Sequence, residues 1–425
     1  MCNMELNNAR GTRDISGEDA ILRERVVDTL KGVFELYGYN PLETPMLERY
    51  ETLSSKYAGG EEILKEVFRL RDQGNRELAL RYDLTVPLAR FIASNQNLKM
   101  PFKRYALGSV FRDGPLKAGR YREFTQCDAD VVGSSNLASD AEMIRIALAV
   151  FEKLGLNVIA KVNNRKVLDA LLEKAGVKEE DVGTVMLSID KLEKFGKEAV
   201  EKELAGKGIN ASVIEKLMVY LSIEGTNKQK IGKLKETIGE TTGVNEIAEV
   251  LKTSGSKNVE FDVSLARGLA YYTGTVFEVF LKGSEIKSSV AAGGRYDKMI
   301  GNFLSEKRDY PAVGISFGLD VIADSIKLES EERGARSVVK ALVISIGEER
   351  IASEVVEMLR NNAVNCDTDY TGKVGRAVEY ADSYKIPYVI FVGEKEAKAN
   401  KVKVRNMVSG EEKMVSVSRV AASVK

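Results

Sequence analysis

Apolar positions along this chain follow two periods, and the switches between them mark its elements. Ile21, Leu22, Val26, Leu30, Val33 and Phe34 recur at helical steps among charges, which predicts one amphipathic helix over residues 18–38, stopped by Gly38. Tyr39 to Met46, with Pro41 and Pro45, reads as an extended edge segment. Short strand patterns follow around Val67 to Leu70 and Leu78 to Tyr82, and a helix starts near Thr85 with Pro87 in its first turn. Tyr105 to Arg112 and Arg122 to Val132 read as antiparallel strands joined by the Gly114 to Gly119 loop, with a helix from Ala138 to Leu154 behind them.

From about Arg165 to Ser254 the texture changes. Val167, Leu168, Leu171, Leu172 and Ala175 form one helical stripe, and Ile214, Leu217, Met218 and Leu221 form another, with lysine and glutamate between. This predicts a helical insertion with solvated faces and no chemistry of its own. Strand patterns return at Val259 to Leu265, Tyr271 to Leu281 and Ala312 to Phe317. After a polar linker, Leu328 to Arg336, two buried-type strands (Ala341 to Ile346, Tyr388 to Val392) alternate with helices near Ile351 to Leu359 and Val374 to Tyr384. That alternation predicts a small α/β domain with a largely parallel sheet.

Composition narrows the chemistry. Apolar residues make up 44% of the 425 and charged residues 30%, and no apolar run reaches the length of a membrane span. No apolar signal region opens the chain, and Cys2, Cys127 and Cys366 are far apart, so a reducing, cytoplasmic setting is expected. The 63 basic and 63 acidic residues cancel, so contact with nucleic acid must come from local patches. There is no histidine at all. Imidazole bases, Ser-His and Cys-His nucleophiles and His-ligated metals are excluded together, and no protein-ligated metal is expected. Carboxylates, guanidinium groups, amides and phenols remain.

Those groups concentrate in two segments. Phe111 to Gly133 sets Arg112, Arg120 and Arg122 beside a Gly/Pro loop, followed by Gln126, Asp128 and Asp130 at every second position. Cationic forks suit phosphate and carboxylate, and an amide with acids suits a nitrogen-bearing ligand. Ser264 to Gly274 offers Arg267 before Gly268, with Tyr271 and Tyr272 on opposite faces if the segment is extended. Asp83 and Thr85 read first as a cap on the Thr85 helix. Gly293-Gly294 reads either as a plain turn or as a close approach to a planar ligand. Lys401, Lys403 and Arg405 share one strand face, which by default is a solvated face. No GxxxxGK[ST] and no GxGxxG is present, so nucleotide binding would need arginine clamps.

The segments LRYDLTVPLAR, FRDGPLKAGRYREFTQCDADVVG, RGLAYYTG and AAGGRYD with PAVGISFGLD resemble, in order, the motifs of the histidyl-tRNA synthetase family, a class II aminoacyl-tRNA synthetase family. The similarity runs from Arg10-Gly11-Thr12-Arg13-Asp14 to the last domain, and RGLAYYTG is its most specific piece. The resemblance implies an α+β fold: an antiparallel sheet flanked by helices, with a helical insertion and a C-terminal α/β anticodon-binding domain. The implied boundaries are 1–164 and 256–327 for the catalytic core, 165–255 for the insertion and 337–425 for the anticodon-binding domain. It implies ATP-dependent formation of histidyl-adenylate and transfer to tRNA(His), with ATP and Mg2+, by a homodimer built on the first helix and the strand around Pro45.

On these residues, Arg112 and Arg267 would clamp the ATP α-phosphate, while Asp83, Thr85 and Gln126 would hold the α-amino end of histidine. Asp130 and Tyr272 would bond the imidazole, Tyr271 would wall the pocket, and Arg120 and Glu123 would stand near carboxylate or adenine. Lys117 with its loop, and Lys401, Lys403 and Arg405, would face tRNA. Two departures stand out. Val321 occupies the place of an arginine that meets the γ-phosphate, with Lys117 as a candidate substitute, and Ala270 occupies the place of an acid or amide. The competing readings are a catalytically silent relative that senses histidine or tRNA, and a class II synthetase for another amino acid such as proline or threonine. Retention of Arg267 and a full final domain favours the enzyme, and RGLAYYTG disfavours another amino acid.

Overall fold

The structure is a computed structural model and describes residues 6–54, 61–116, 121–267, 271–304, 309–329 and 336–424. The chain divides into two compact units, Met1–Arg13 with Val26–Glu329, and Asp14–Arg25 with Ser330–Lys425.

The strands of the first unit are β1 (Asn40–Pro41), β2 (Leu47–Arg49), β3 (Arg69–Arg71), β4 (Glu77–Leu80), β5 (Phe102–Phe111), β6 (Glu123–Val132), β7 (Val158–Asn164), β8 (Val259–Phe261), β9 (Thr275–Leu281), β10 (Ala291–Arg295) and β11 (Ala312–Gly318). Eight of them make one sheet in the order β1-β5-β6-β11-β10-β9-β7-β8, and β2-β4-β3 make a small second sheet. The large sheet is antiparallel from β5 to β7, with parallel pairs at its edges, β1 on β5 and β7 on β8.

Its spine is the β5–β6 hairpin, in register from Phe102↔Val132 to Phe111↔Glu123. One face of the sheet is covered by two helices, Gly17–Leu36 and Ala138–Lys153. Each sends a phenylalanine to Phe317 of β11: Phe34 and Phe151 lie 5.7 and 5.9 Å from that ring. Because side chains alternate along a strand, burial of Cys127, Ala129 and Val131 turns Gln126, Asp128 and Asp130 to the other face. The polar half of the β6 pattern is therefore fixed by the apolar half.

Between β7 and β8 the chain is helical, and both predicted stripes are buried. β7 itself was not anticipated: VIAKVNN is a short alternating run wedged between two helices, and its pairing with β9 decides its state. Three other expectations change. The segment after Arg267 becomes a strand only at Thr275, not at Tyr271, and the strand from Val259 ends at Phe261. Gly293-Gly294 is no turn but the middle of β10.

The second unit holds β12 (Ala341–Ile346), β13 (Cys366–Asp369), β14 (Tyr388–Gly393), β15 (Lys401–Asn406) and β16 (Glu412–Ser416), in the order β13-β12-β14-β15-β16. The first three of that order are parallel and the other two pairings antiparallel, so the sheet is mixed rather than largely parallel. Val343 and Ile390 pack with Val355 and Leu359 in one core, and Ile344 and Val389 with Ala377 and Ala381 in another. Among the described residues no helix is long and apolar enough to cross a membrane.

Gly314 shows how tightly the site is built into the sheet. A Cβ there would stand 1.8 Å from Asp130 Oδ1, because the carboxylate lies across the strand. Gly314→Ala is expected to lower stability by about 1–3 kcal/mol through overpacking, read as a lower melting temperature. Gly32→Ala, in the helix Gly17–Leu36 with nothing within 4 Å of the new Cβ, should instead be neutral or stabilising by roughly 0.5–1 kcal/mol.

Candidate active site

The open face of the sheet carries two rows of side chains across four strands. One runs Asp128–Ser316–Ala292–Glu278 through β6, β11, β10 and β9, and the next runs Asp130–Gly314–Gly294–Val276. The centre of each row is Gly, Ala or Ser, so the sheet has a shallow floor there, with acids on β6 at one rim and Glu278 at the other. A Cβ on Gly294 would meet Thr275 O at 2.5 Å and the Tyr272 ring at 2.9 Å. Small residues are needed because a neighbour already fills the space. Above this floor is a cavity of about 470 Å³, the size of an ordinary small-molecule site.

Its walls bring together Arg112, Arg267, Asp83, Thr85, Gln126 and Asp130, and Tyr271 and Tyr272 line it as well. Arg112 donates from Nε to Tyr82 O at 3.1 Å and lies 5.1 Å from the Phe124 ring centroid. Arg267 donates to Glu278 at 2.8 Å and lies over Tyr272. Each guanidinium is held on one side, which fixes its position. Tyr271 and Tyr272 are not on opposite faces. Their ring centroids are 4.6 Å apart, because this segment turns before β9 begins.

Asp83 accepts from Val86 N at 3.0 Å, so it caps the helix from one residue before the N-cap Leu84, while Thr85 is the first helical residue; the same Asp83 carboxyl faces the cavity. Burial pushes Asp83 up to about 6, against the pull of Val86 N and Arg112. Burial likewise pushes Asp128 up to about 7, opposed by Arg104. Both acids thus change charge near neutrality, and a cation entering the cavity would hold them ionised. Asp130 is also raised by burial; it is anchored by Tyr296, which donates to Oδ1 at 2.6 Å, and by Arg104, 2.7 Å from Oδ2. Arg104 is 1% exposed and also donates to Leu84 O.

Several contributors were invisible in the sequence. Arg104 and Tyr296 sit in segments that read as ordinary strands or as plain aromatic packing. Asp190, Lys191 and Lys207 of the helical insertion reach the cavity wall, so the insertion is not without polar groups at the site. Both lysines share Glu203, at 2.8 and 2.6 Å. Lysines on a solvated helix give no sequence signal of this kind.

A second cavity, about 340 Å³, shares Glu66 and Arg112 with the first and is lined further by Phe124, Gly318, Asp320 and Val321. Here Asp320 accepts from Thr125 N at 3.1 Å and pairs with Arg13 at 2.5 Å, while Arg13 stacks 3.9 Å from the Tyr121 ring centroid. The RGTRD segment thereby reaches this site. Glu123 does not join either cavity wall; it is exposed at the start of β6. Arg120 and Lys117 lie outside the described residues, as does Ala270.

In the second unit Lys401, Lys403 and Arg405 do share one face of β15, with Val402 and Val404 buried on the other. Lys403 and Arg405 stand 3.2 and 4.0 Å from Glu412, which reduces their free charge. Among the described residues no cluster of three or more acids or cysteines could hold a metal ion.

The chain has relatives among known proteins. The model of the family described as histidyl-tRNA synthetase matches residues 11–322, and an anticodon binding domain model matches residues 340–425. Histidine–tRNA ligase 1 of Bacillus cereus is 42% identical over 427 aligned residues, covering 98% of this chain and 99% of the relative. Histidine–tRNA ligase of Aeropyrum pernix is 39% identical, covering 98% of this chain and 97% of its own. The crystal structure of histidyl-tRNA synthetase from Nostoc sp. PCC 7120 superposes with a TM-score of 0.87 at 31% identity, covering 99% of each chain. An ATP phosphoribosyltransferase regulatory subunit/histidyl-tRNA synthetase from Bacillus halodurans is 23% identical, with a TM-score of 0.75 over 92% of this chain and 99% of its own, and shares the fold. A family model spanning most of the chain, together with full-length relatives at this identity, places the chain in the histidyl-tRNA synthetase family.

Proposed function

We propose that the larger cavity binds histidine and the neighbouring one the nucleotide of ATP, with Arg112 at their boundary. The activity is activation of histidine to histidyl-adenylate followed by transfer to tRNA. The observation that carries the site assignment is that Arg112 and Arg267, far apart in sequence, line one cavity whose floor is acidic at the β6 rim.

Histidine's α-carboxylate is the nucleophile. It is ionised far above its pKa of about 3.5, so activation requires no general base, and a protein without histidine loses nothing here. What the reaction needs is in-line placement and donors on the phosphorus oxygens as charge builds. Arg112 and Arg267 supply permanently charged forks for the α-phosphate. Asp83, Thr85 and Gln126 hold the amino end, Asp130 and Tyr272 take the imidazole nitrogens, and Tyr271 backs the ring. Arg120 is assigned near the carboxylate or the adenine on the resemblance. ATP arrives as its Mg2+ complex. Phe124 and Val321 offer the base an apolar wall, and the Arg13–Asp320 pair steadies the Thr125 end of β6 beside it. Glu123, exposed, is withdrawn to the periphery of the nucleotide site.

Specificity follows from burial. Groups built to pair with both ring nitrogens are left unsatisfied by an apolar isostere, a penalty that reaches roughly 10⁴-fold. The boundaries 1–164, 165–255, 256–327 and 337–425 remain our division of catalytic core, insertion and anticodon-binding domain. A cytoplasmic homodimer is the proposed form, and exposed Leu36, Met46 and Leu47, near the first helix and Pro45, support a covered surface there.

Arg267→Ala and Arg112→Ala should each lower kcat of histidine-dependent ATP–pyrophosphate exchange by about 10²–10³-fold, with the fold retained by circular dichroism. Exchange at the parent rate in either variant would remove the arginine clamp. For the second unit, Lys401→Ala and Lys403→Ala should raise KM for tRNA and reduce the salt slope of tRNA binding by about one for each phosphate no longer neutralised. Pyrophosphate exchange, which needs no tRNA, should stay unchanged; an unaltered KM for tRNA would leave that face merely solvated.

A further inference from the structure

Two acceptor oxygens in the larger cavity have neither a hydrogen-bond donor nor an ion-pair partner among the described residues: Gln126 Oε1 and Asp128 Oδ1. They come from the same face of β6, two residues apart. Asp128 is 2% exposed, so bulk water does not satisfy it. A buried acceptor without a donor is costly, and a native protein retains one where something else supplies the proton.

Ser316 explains why both oxygens stay open. Its hydroxyl bonds Asp128, and it accepts from Gln126 Nε2 at 2.6 Å. A hydroxyl has one hydrogen; spent on Asp128, it requires the amide of Gln126 to present its NH₂, which turns Oε1 away. Neither nearby arginine reaches Asp128 Oδ1, although Arg104 keeps two buried donors, Nε and Nη1, without a partner. Arg81 donates to Thr44 O and Ser109 O, and Arg104 to Leu84 O beside its pair with Asp130. Asp130, by contrast, has a partner at each oxygen. Of the two buried aspartates on β6, Asp128 is the one with a wholly unpartnered oxygen, while each Asp130 oxygen has one partner and one acceptor site left.

We propose that Asp128 is an acceptor for the α-ammonium group of the bound amino acid, beside Asp83, Thr85 and Gln126. An ammonium carries three N–H donors and no acceptor, and the unpartnered carboxylate oxygen of Asp128 offers it both an acceptor and a compensating negative charge. The inference rests on the reading that this cavity takes histidine, and assigns to its amino end a residue that the family resemblance leaves without a role. Asp128 then discriminates for the amine, and Asp130 for the ring.

Two ligands separate these roles on the full-length protein: histidinol, which keeps amine and ring, and 3-(imidazol-4-yl)propanoate, which keeps ring and carboxylate but has no amine. Calorimetry should show Asp128→Asn weakening histidinol by about tenfold or more, the difference between a charge-assisted and a neutral hydrogen bond, with the propanoate unchanged. That unchanged ligand also reports a folded site. Asp130→Asn should weaken both. Histidinol bound equally by parent and Asp128→Asn would overturn the proposal, leaving Asp128 as an internal counter-charge. Equal weakening of both ligands would overturn it too, since the effect would then lie in the ring or the fold. If Asp130→Asn also changed neither affinity, the failure would belong to the histidine reading of the cavity instead.

Discussion

A carboxylate can lie flat on the interior of a sheet only where the neighbouring strand has no side chain. Asp130 meets that condition through Gly314, and most of the site follows from it. The acid is buried, so it needs Arg104 and Tyr296 to hold it. Arg104 is buried in turn, and it is held by a carbonyl from the start of the Thr85 helix. The strip of Gly, Ala and Ser across β10 and β11 continues the same condition, and at Gly294 it lets the Tyr272 ring lie close on the floor. Acids gather at one rim and guanidinium groups stand above, so the cavity is polar in a directed sense. One end suits an ammonium and a ring N–H, and the other suits phosphate and carboxylate.

That division of charge accounts for a chemistry without histidine. The reacting carboxylate comes with the substrate already ionised, and the two arginines need no proton transfer to act. The acids at the opposite end are strained toward neutrality by burial, as the upward shifts of Asp83 and Asp128 show. Binding an ammonium relieves that strain. On the proposed assignment of the cavity, part of the affinity for the amino acid is stored in the empty protein, in groups whose desolvation was incurred at folding.

The sequence made the elements that carry strong periodicity legible: the first helix, the β5–β6 hairpin, the insertion stripes and the β12 and β14 strands. The residues of the two arginine segments were legible because guanidinium, glycine and acid cluster there in a way that plain structure does not require. What escaped was pairing. Arg104 lies in FKRYALGSVF, which reads as an ordinary strand, and nothing local shows that Asp130 faces it. Tyr271 and Tyr272 were misplaced because alternation was applied to a segment that is not extended. Arg13 and the insertion lysines acquire their role only through contacts far away in sequence, where periodicity carries no information.

The central claim is the orientation of charge in the cavity: amine and ring toward Asp83, Asp128 and Asp130, phosphate toward Arg112 and Arg267. A crystal structure with a non-hydrolysable histidyl-adenylate analogue tests it most directly. The account predicts the phosphate-mimicking group within hydrogen-bond reach of both guanidinium groups, and the ring between Asp130 and Tyr272. An analogue bound in the reverse sense, or with Arg267 still closed on Glu278 and out of reach of the phosphate position, would contradict it.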